Sequence, residues 1–547
     1  LENTLKRLTP DLYSRSPVVS PDGKYLAYSQ IDRDKESVWL KDIASGATVQ
    51  LLPPVDLDQS YNVLHFSPDG TRLFYSSHAS DGRNLTIYRY TLATHEQTRI
   101  ADDDISPSAI SPDGQELAFI DSKYDLIEVS SDGGDEKVLR RPQENKWLVA
   151  WNSEMSWSPD GRSILMCGGH TDNGRNIGDV VQFDVASGDE HRLKTPDNWQ
   201  QIDDVVSLAD GVQILVTARQ TQADPFQIYK VAEDGTTARL TNDDHDYRWI
   251  GASRDGSFIA AEQGLDHFNI WSAPFSDTKD LRQLTFGSSA RDGFDGLAFM
   301  PDGRIVYSAT RSGAVDLWIM NPDGGSQTQL TINAGSWNAR PRVSPDGRHI
   351  VFSSNRTGVT QLWRMDADGG SQTQLTTSTD AAFRANITPD GKFIYYNTEN
   401  DGSIWKIPID GGEPVLESKE KCLFPSISPD GKQLACINVE KSQPNSWRVD
   451  VVSAVSGELV RTYNFPVGRS ILIWTPDSRA LISMNLNFGN LFEHPVDGSP
   501  ARALTSFTAD RLPFFAVSPD NKRIAFSRGN SYSEAVQIIR PISAVSN

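Results

Sequence analysis

Short apolar runs separated by polar turns follow one another along the whole chain. Before a recurring Pro-Asp-Gly stand VVS, LHFS, SAIS, MSWS or PRVS; after it stand KYLAYS, TRLFYS, QELAFI, RHIVFS or KFIYYN. Runs this short and this rich in β-branched and aromatic residues predict strands rather than helices. Pro presets φ, Asp bonds its own backbone and Gly takes a positive φ, so the centre predicts a tight turn and the pair a hairpin. A third run follows, such as VDLWIMN or TQLWRMD, then a DGG turn and a short TQLT strand. The grammar is four short strands and two turns, with almost no 3.6-residue period.

The turn Asp recurs at Asp22, Asp69, Asp113, Asp160, Asp210, Asp255, Asp302, Asp346, Asp390, Asp430, Asp477 and Asp520, about 45 residues apart. The phrase DGGSQTQLT occurs verbatim at Asp323–Thr331 and Asp368–Thr376. Four antiparallel strands repeated at this period predict an all-β fold, a β-propeller of twelve four-stranded blades. Two six-bladed rings in tandem is the simplest arrangement; a 5+7 split or one large ring obeys the same grammar. The chain opens on KRLT, an outer strand, and closes on AVQIIRPIS, a third strand, so the first strand is expected to complete the last blade and remove two open edges.

Charge supports a division into 1–279 and 280–547. Residues 1–280 hold 46 acidic and 26 basic side chains, the whole formal charge of −20, whereas 281–547 are balanced. That balance argues against a nucleic-acid partner for this segment. No apolar run reaches 18 residues, so no membrane span is expected within it. The missing initiator Met reads as a mature or truncated chain, which leaves open a removed targeting segment or an upstream membrane anchor. Three cysteines, Cys167, Cys422 and Cys436, form neither a disulfide framework nor a CxxC metal site.

The SPDGK…LAYS…LW…DGG…xLT pattern resembles the WD40-like (PD40) repeats of TolB and of the N-terminal propellers of the dipeptidyl peptidase IV family. The resemblance spans essentially the whole chain and is specific to fold, not to activity. Neither the hydrolase domain of those peptidases nor the N-terminal α/β domain of TolB is visible. Similar arrays form the extracytoplasmic part of CadC-like membrane-bound transcriptional regulators. The resemblance implies a periplasmic or other extracytoplasmic location and a sensing role.

Catalytic motifs are sparse. GxSxG, HExxH, a P-loop and GxGxxG are absent. The nine His are scattered, and NDDHDY (Asn242–Tyr247) lacks the alternating spacing of a Ca²⁺ loop although its oxygens suit that ion. No cofactor is implied. The connectors that enter each inner strand carry aromatics: Tyr61, Trp151, Trp199, Trp249, Trp337 and Phe383 among them. Acids accompany those of the first half (Asp203, Asp204, Asp243, Asp244) and arginines those of the second (Arg340, Arg384). Tyr61, Trp199, Asp243, Asp244, Trp249, Trp337, Arg340 and Arg384 are therefore the candidate ligand-binding residues. Aromatic platforms of this kind suit a peptide or protein ligand, cationic where the acids gather; their structural alternative is a wedge between neighbouring blades. The expected function is a non-catalytic extracytoplasmic binding or sensing module. The rival is a propeller enzyme, a metal-dependent polysaccharide lyase or hydrolase, which needs three His or carboxylates converging in one channel.

Overall fold

The structure is a computed structural model. It describes residues 4–539 except 10–12, 33–34, 57–58, 79–84, 122, 142–147, 150–154, 173–174, 222–223, 288–290, 312–313, 333, 399–402, 419–422, 440–446, 455, 457, 465–470, 486–488 and 508–509. Every regular element among them is a strand, and the strands assemble as four-stranded antiparallel meanders. One meander, Asn338–Val343, His349–Ser354, Gln361–Asp366 and Thr373–Gln374, shows why the grammar repeats. Its turn is held by side chains as well as backbone. The Ser344 hydroxyl donates to Asp346 at 2.6 Å, and both oxygens accept from the backbone N–H groups that follow, Arg348 at 3.0 Å and His349 at 2.9 Å. The same hydroxyl–carboxylate pair recurs at Ser20–Asp22, Ser67–Asp69, Ser111–Asp113, Ser253–Asp255 and Thr388–Asp390.

The duplicated phrase has an equally local cause. Thr331 Oγ1 accepts the Leu317 N–H of the neighbouring third strand at 2.9 Å, and Thr376 Oγ1 does the same for Leu362. Leu330 and Leu375 are buried, while Gln329 and Gln374 return their amides to the Thr331 and Thr376 carbonyls. Gly324, at φ 88°, lies so near the preceding sheet that an added Cβ would sit 2.3 Å from the Leu284 carbonyl oxygen. The Gly, Gln, Leu and Thr of the phrase therefore close a hydrogen bond, fill the core or clear a neighbour.

The chain divides into two compact units: unit 1, Leu1–Leu265 with Tyr532–Asn547, and unit 2, Asp266–Ser531. The sequence-based boundary at 279/280 falls instead inside unit 2. Two long strands, Ile259–Pro274 and Arg523–Ile539, each begin in one unit and end in the other. In unit 1 the last sheet runs Asp246–Ala252, 259–265, 532–539, Thr4–Arg7, and the first strand pairs with the last from Thr4↔Ile539 to Arg7↔Val536. In unit 2 it runs Arg511–Val517, 523–531, 266–274, Arg282–Gln283. The third strand of each closing sheet thus lies far along the sequence from the first two. Gly529 marks the close approach within unit 2, where a Cβ would meet the His267 carbonyl oxygen at 1.7 Å.

Consecutive sheets bury their faces on each other. Ala27, Val38 and Leu52 of the first sheet pack with Val63, Phe66, Leu73 and Tyr75 of the second. Cys167 is buried, and Cys436 is disulfide-bonded, a single bond in a sequence whose cysteine spacing makes no framework. Cys422 lies outside the described residues.

Candidate functional site

The inner strands of unit 1 surround a cavity of about 410 Å³. Its wall repeats one register position, four residues before each turn Asp: Val18, His65, Ala109, Ser156, Val206 and Gly251, each paired with the corresponding residue of the second strand. Prolines of the turns, Pro21, Pro68, Pro112 and Pro159, line it at the C-terminal ends of these strands, joined by Ala209 and Arg254. The wall is mixed: Val63, Met155, Trp157, Ile250 and Trp249 add apolar side chains to the valines, while Ser156, Ser207, Asp204, Arg254 and backbone groups make about half of it polar. His65 bonds the Ser108 carbonyl through Nε2 at 2.7 Å, and burial holds its pKa down at about 4, so the ring is neutral.

Charge collects at the N-terminal ends of the same strands and is buried there. Ser16 and Trp249 sit at inner-strand bulges with φ 47° and 43°, values costly for side chains with a Cβ. Backbone donors at these bulges, and at the start of the strand that begins at Tyr61, find carboxylates of the neighbouring sheet: Ser16 N–H donates to Glu262 at 3.1 Å, Ile250 N–H to Asp204 and Tyr61 N–H to Glu36 at 3.1 Å. Burial raises Glu262 and Asp204 to about 7, partly offset for Glu262 by Arg15. Glu36 and Asp203 are raised by the same cause, with Arg15 and Arg248 respectively opposing it. The acidic connector therefore differs from its expected role. Asp203 and Asp204 are 6% and 1% exposed; Asp204 accepts the Ile250 N–H and Asp203 faces Arg248 at 3.7 Å.

The aromatic candidates separate. Tyr61 is buried against Tyr75, ring centroids 5.9 Å apart, and Trp199 is 1% exposed against Tyr229 at 4.7 Å. Both are wedges within the core and not ligand platforms. Trp249 alone of the candidates lines the cavity. Asp243 and Asp244 belong to a separate cleft of about 250 Å³ shared with Arg219, Tyr229 and Arg239, so its charge is mixed. Asp243 accepts the Tyr247 hydroxyl at 2.7 Å and Asp246 the Phe226 N–H at 2.7 Å, which commits oxygens of the proposed Ca²⁺ string to the fold. In unit 2, Arg340 lies over Trp337 and Phe383 at 5.7 and 5.5 Å, bringing three predicted connector residues together. Arg340 and Arg384 occupy inner-strand bulges at φ 55° and 57°. Trp151 lies outside the described residues.

His65, Asp204 and Glu262 were not among the binding candidates. His65 was legible as the one ionisable side chain at its register position in unit 1; the buried acids carry no such mark. Among the described residues no three His, Cys, Asp or Glu side chains gather as a metal would require.

A model of the TolB β-propeller domain, PD40, matches residues 8–222 and 288–413. The chain belongs to this family. No curated protein matches it. Among solved structures, this PD40 protein is similar to the tricorn protease, at 15% identity and TM-score 0.35 over 87% of its length and 46% of the protease. It therefore spans less than half of that chain. It is also similar to an oligogalacturonate lyase in complex with manganese, at 18% identity and TM-score 0.32, covering 60% of this chain and 95% of the lyase. A third is the β-propeller domain of the trilobed protease from Pyrococcus furiosus, at 14% identity and TM-score 0.31, covering 68% of this chain and 100% of that domain. None of these likenesses carries an argument about activity.

Proposed function

We propose that the PD40 protein is a non-catalytic binding module whose unit 1 cavity receives the apolar part of a peptide or protein ligand. The observation that carries this reading is the cavity wall, six inner strands presenting valines, Trp157 and Trp249 over about 410 Å³. A volume in this range suits one or two side chains, and apolar side chains set among polar groups are a usual lining for such sites. His65 stays neutral, so the wall favours an uncharged insert. The surplus of acids in the first half supplies salt-dependent attraction for a cationic flank. Disulfide bonding of Cys436 favours an oxidising, extracytoplasmic compartment, where a sensing role fits.

The test is a display screen of random peptides against the full chain, repeated with Val206→Glu, which places a charge in the wall. Enrichment of peptides with apolar residues, lost in the variant while its melt is retained, supports the reading. Peptides that bind both forms equally would sink it. So would turnover of peptides, esters or pectic oligosaccharides with added Mn²⁺, Ca²⁺ or Zn²⁺, in favour of the enzyme alternative.

A further inference from the structure

Unit 2 repeats the register position that lines the unit 1 cavity, but with different chemistry. Four residues before its turn aspartates stand Ala298, Arg342, Asn386, Ser426, Ile473 and Ala516. Arg342 pairs with Val351, Asn386 with Tyr395 and Ser426 with Ala435, as Val18 pairs with Ala27 in unit 1. Three successive inner strands are thus polar here and the remaining three apolar.

Arg342 is the only charged side chain at this position in either unit. Its guanidinium has one hydrogen-bond partner among the described residues, the Pro341 carbonyl at 3.1 Å, and lies 5.8 Å from the centre of the Phe514 ring. No carboxylate pairs with it there, and the nearest charge felt is the like charge of Arg340. Some of its surface stays open, yet enough protein surrounds it that burial, ahead of Arg340, drives its pKa down to about 10. It remains a cation near neutral pH. A guanidinium carries five N–H donors in a planar fork that matches a carboxylate or phosphate. Two other enclosed arginines have acidic partners: Arg15 lies in the field of Glu262 and Glu36, and Arg311 bonds Asp292 at 2.7 Å. Leaving a cation without one is costly unless an anion arrives.

We propose that the inner strands of unit 2 form an oxyanion site in which Arg342 grips the carboxylate of a small organic acid, with Asn386 and Ser426 on its polar side and Ile473 and Ala516 facing the apolar body. This site is separate from the unit 1 cavity and does not depend on the function proposed for it.

Isobutyrate and its neutral amide, isobutyramide, are suitable probes, titrated onto the full chain at constant ionic strength and followed by saturation-transfer NMR. The expectation is saturable isobutyrate binding, with isobutyramide at least tenfold weaker. Arg342→Gln should weaken isobutyrate at least tenfold, and Arg342→Lys, which keeps charge but not the fork, by a smaller factor. Inorganic phosphate is the competitor. Displacement marks a general oxyanion site, and its failure while isobutyrate still saturates marks one selective for organic acids; either supports the proposal. Equal binding of acid and amide, absence of saturation, or isobutyrate affinity unchanged in Arg342→Lys and Arg342→Gln would overturn it. If Arg342→Gln does not fold, the comparisons of acid with amide and of wild type with Arg342→Lys decide alone.

Discussion

At the scale of single residues, place in the fold separates side chains that the sequence presents alike. Trp199 and Trp249 both precede an inner strand, but one is sealed against Tyr229 and the other lines the cavity. Trp199→Ala should cost about 3–5 kcal/mol in a denaturant titration. Trp249→Ala should cost markedly less, since the ring is only half-buried and faces the cavity, while weakening peptide binding. Equal stability losses would make both of them wedges. The buried acids give a second expectation. Glu262 and Asp204 have folded pKa values of about 7, above the ordinary carboxylate range, so the folded state holds their protons longer than the unfolded chain. Their contribution is fully present below about pH 4 and is lost as pH rises through 7, on the order of 3 kcal/mol for each. Melting temperature should therefore fall from pH 5 to pH 8, and Glu262→Gln with Asp204→Asn should flatten that fall. The turn aspartates act oppositely: Asp22 and Asp255, held near 2 chiefly by the Ser20 and Ser253 hydroxyls, favour folding above about pH 4 and cease to do so in stronger acid. Sequence could not rank these acids, because burial depends on which sheets become neighbours.

At the scale of the element, the four-stranded meander was readable because its determinants lie within a few positions of one another. Ser344, Asp346 and the N–H groups of Arg348 and His349 are one such set. Thr331 is similar but reaches across a strand. Thr331→Val preserves shape and removes the oxygen that accepts Leu317 N–H and donates to Asp316 at 2.6 Å. A loss of about 1–3 kcal/mol is expected in chemical denaturation, because a buried donor is left unpaired. A loss below about 0.5 kcal/mol would mean that the recurrent Thr serves packing alone. The bulges were not readable. Ser16, Trp249, Arg340 and Arg384 share a backbone conformation but no side-chain chemistry, and their N–H partners or neighbours belong to other sheets.

At the scale of the whole molecule, the family and the blade pattern followed from the repeat, but the partition did not. Every boundary between repeats looks the same in sequence, whereas the chain changes unit in the middle of two strands. Residues 266–531 carry every strand of unit 2 and should fold alone. Residues 1–265 joined through an Asn-Gly turn to 532–547 should do likewise, since the Ser531 hydroxyl bonds Asp266 at 2.6 Å and the strand ends are close. Cuts at 279/280 should aggregate, because 1–279 lacks 532–539 and 280–547 lacks 266–274. Cooperative melts from both halves of the 279/280 cut would refute this; circular dichroism and gel filtration provide the check. The strand exchange also sets a timetable for biosynthesis. Residues 1–265 leave the ribosome first, yet the strand that completes their last sheet is translated only after 266 further residues, on the order of tens of seconds later. Throughout that interval the edge of the strand ending at Leu265 waits unpaired for its neighbour, so unit 1 can be completed only once synthesis of the whole chain is all but finished.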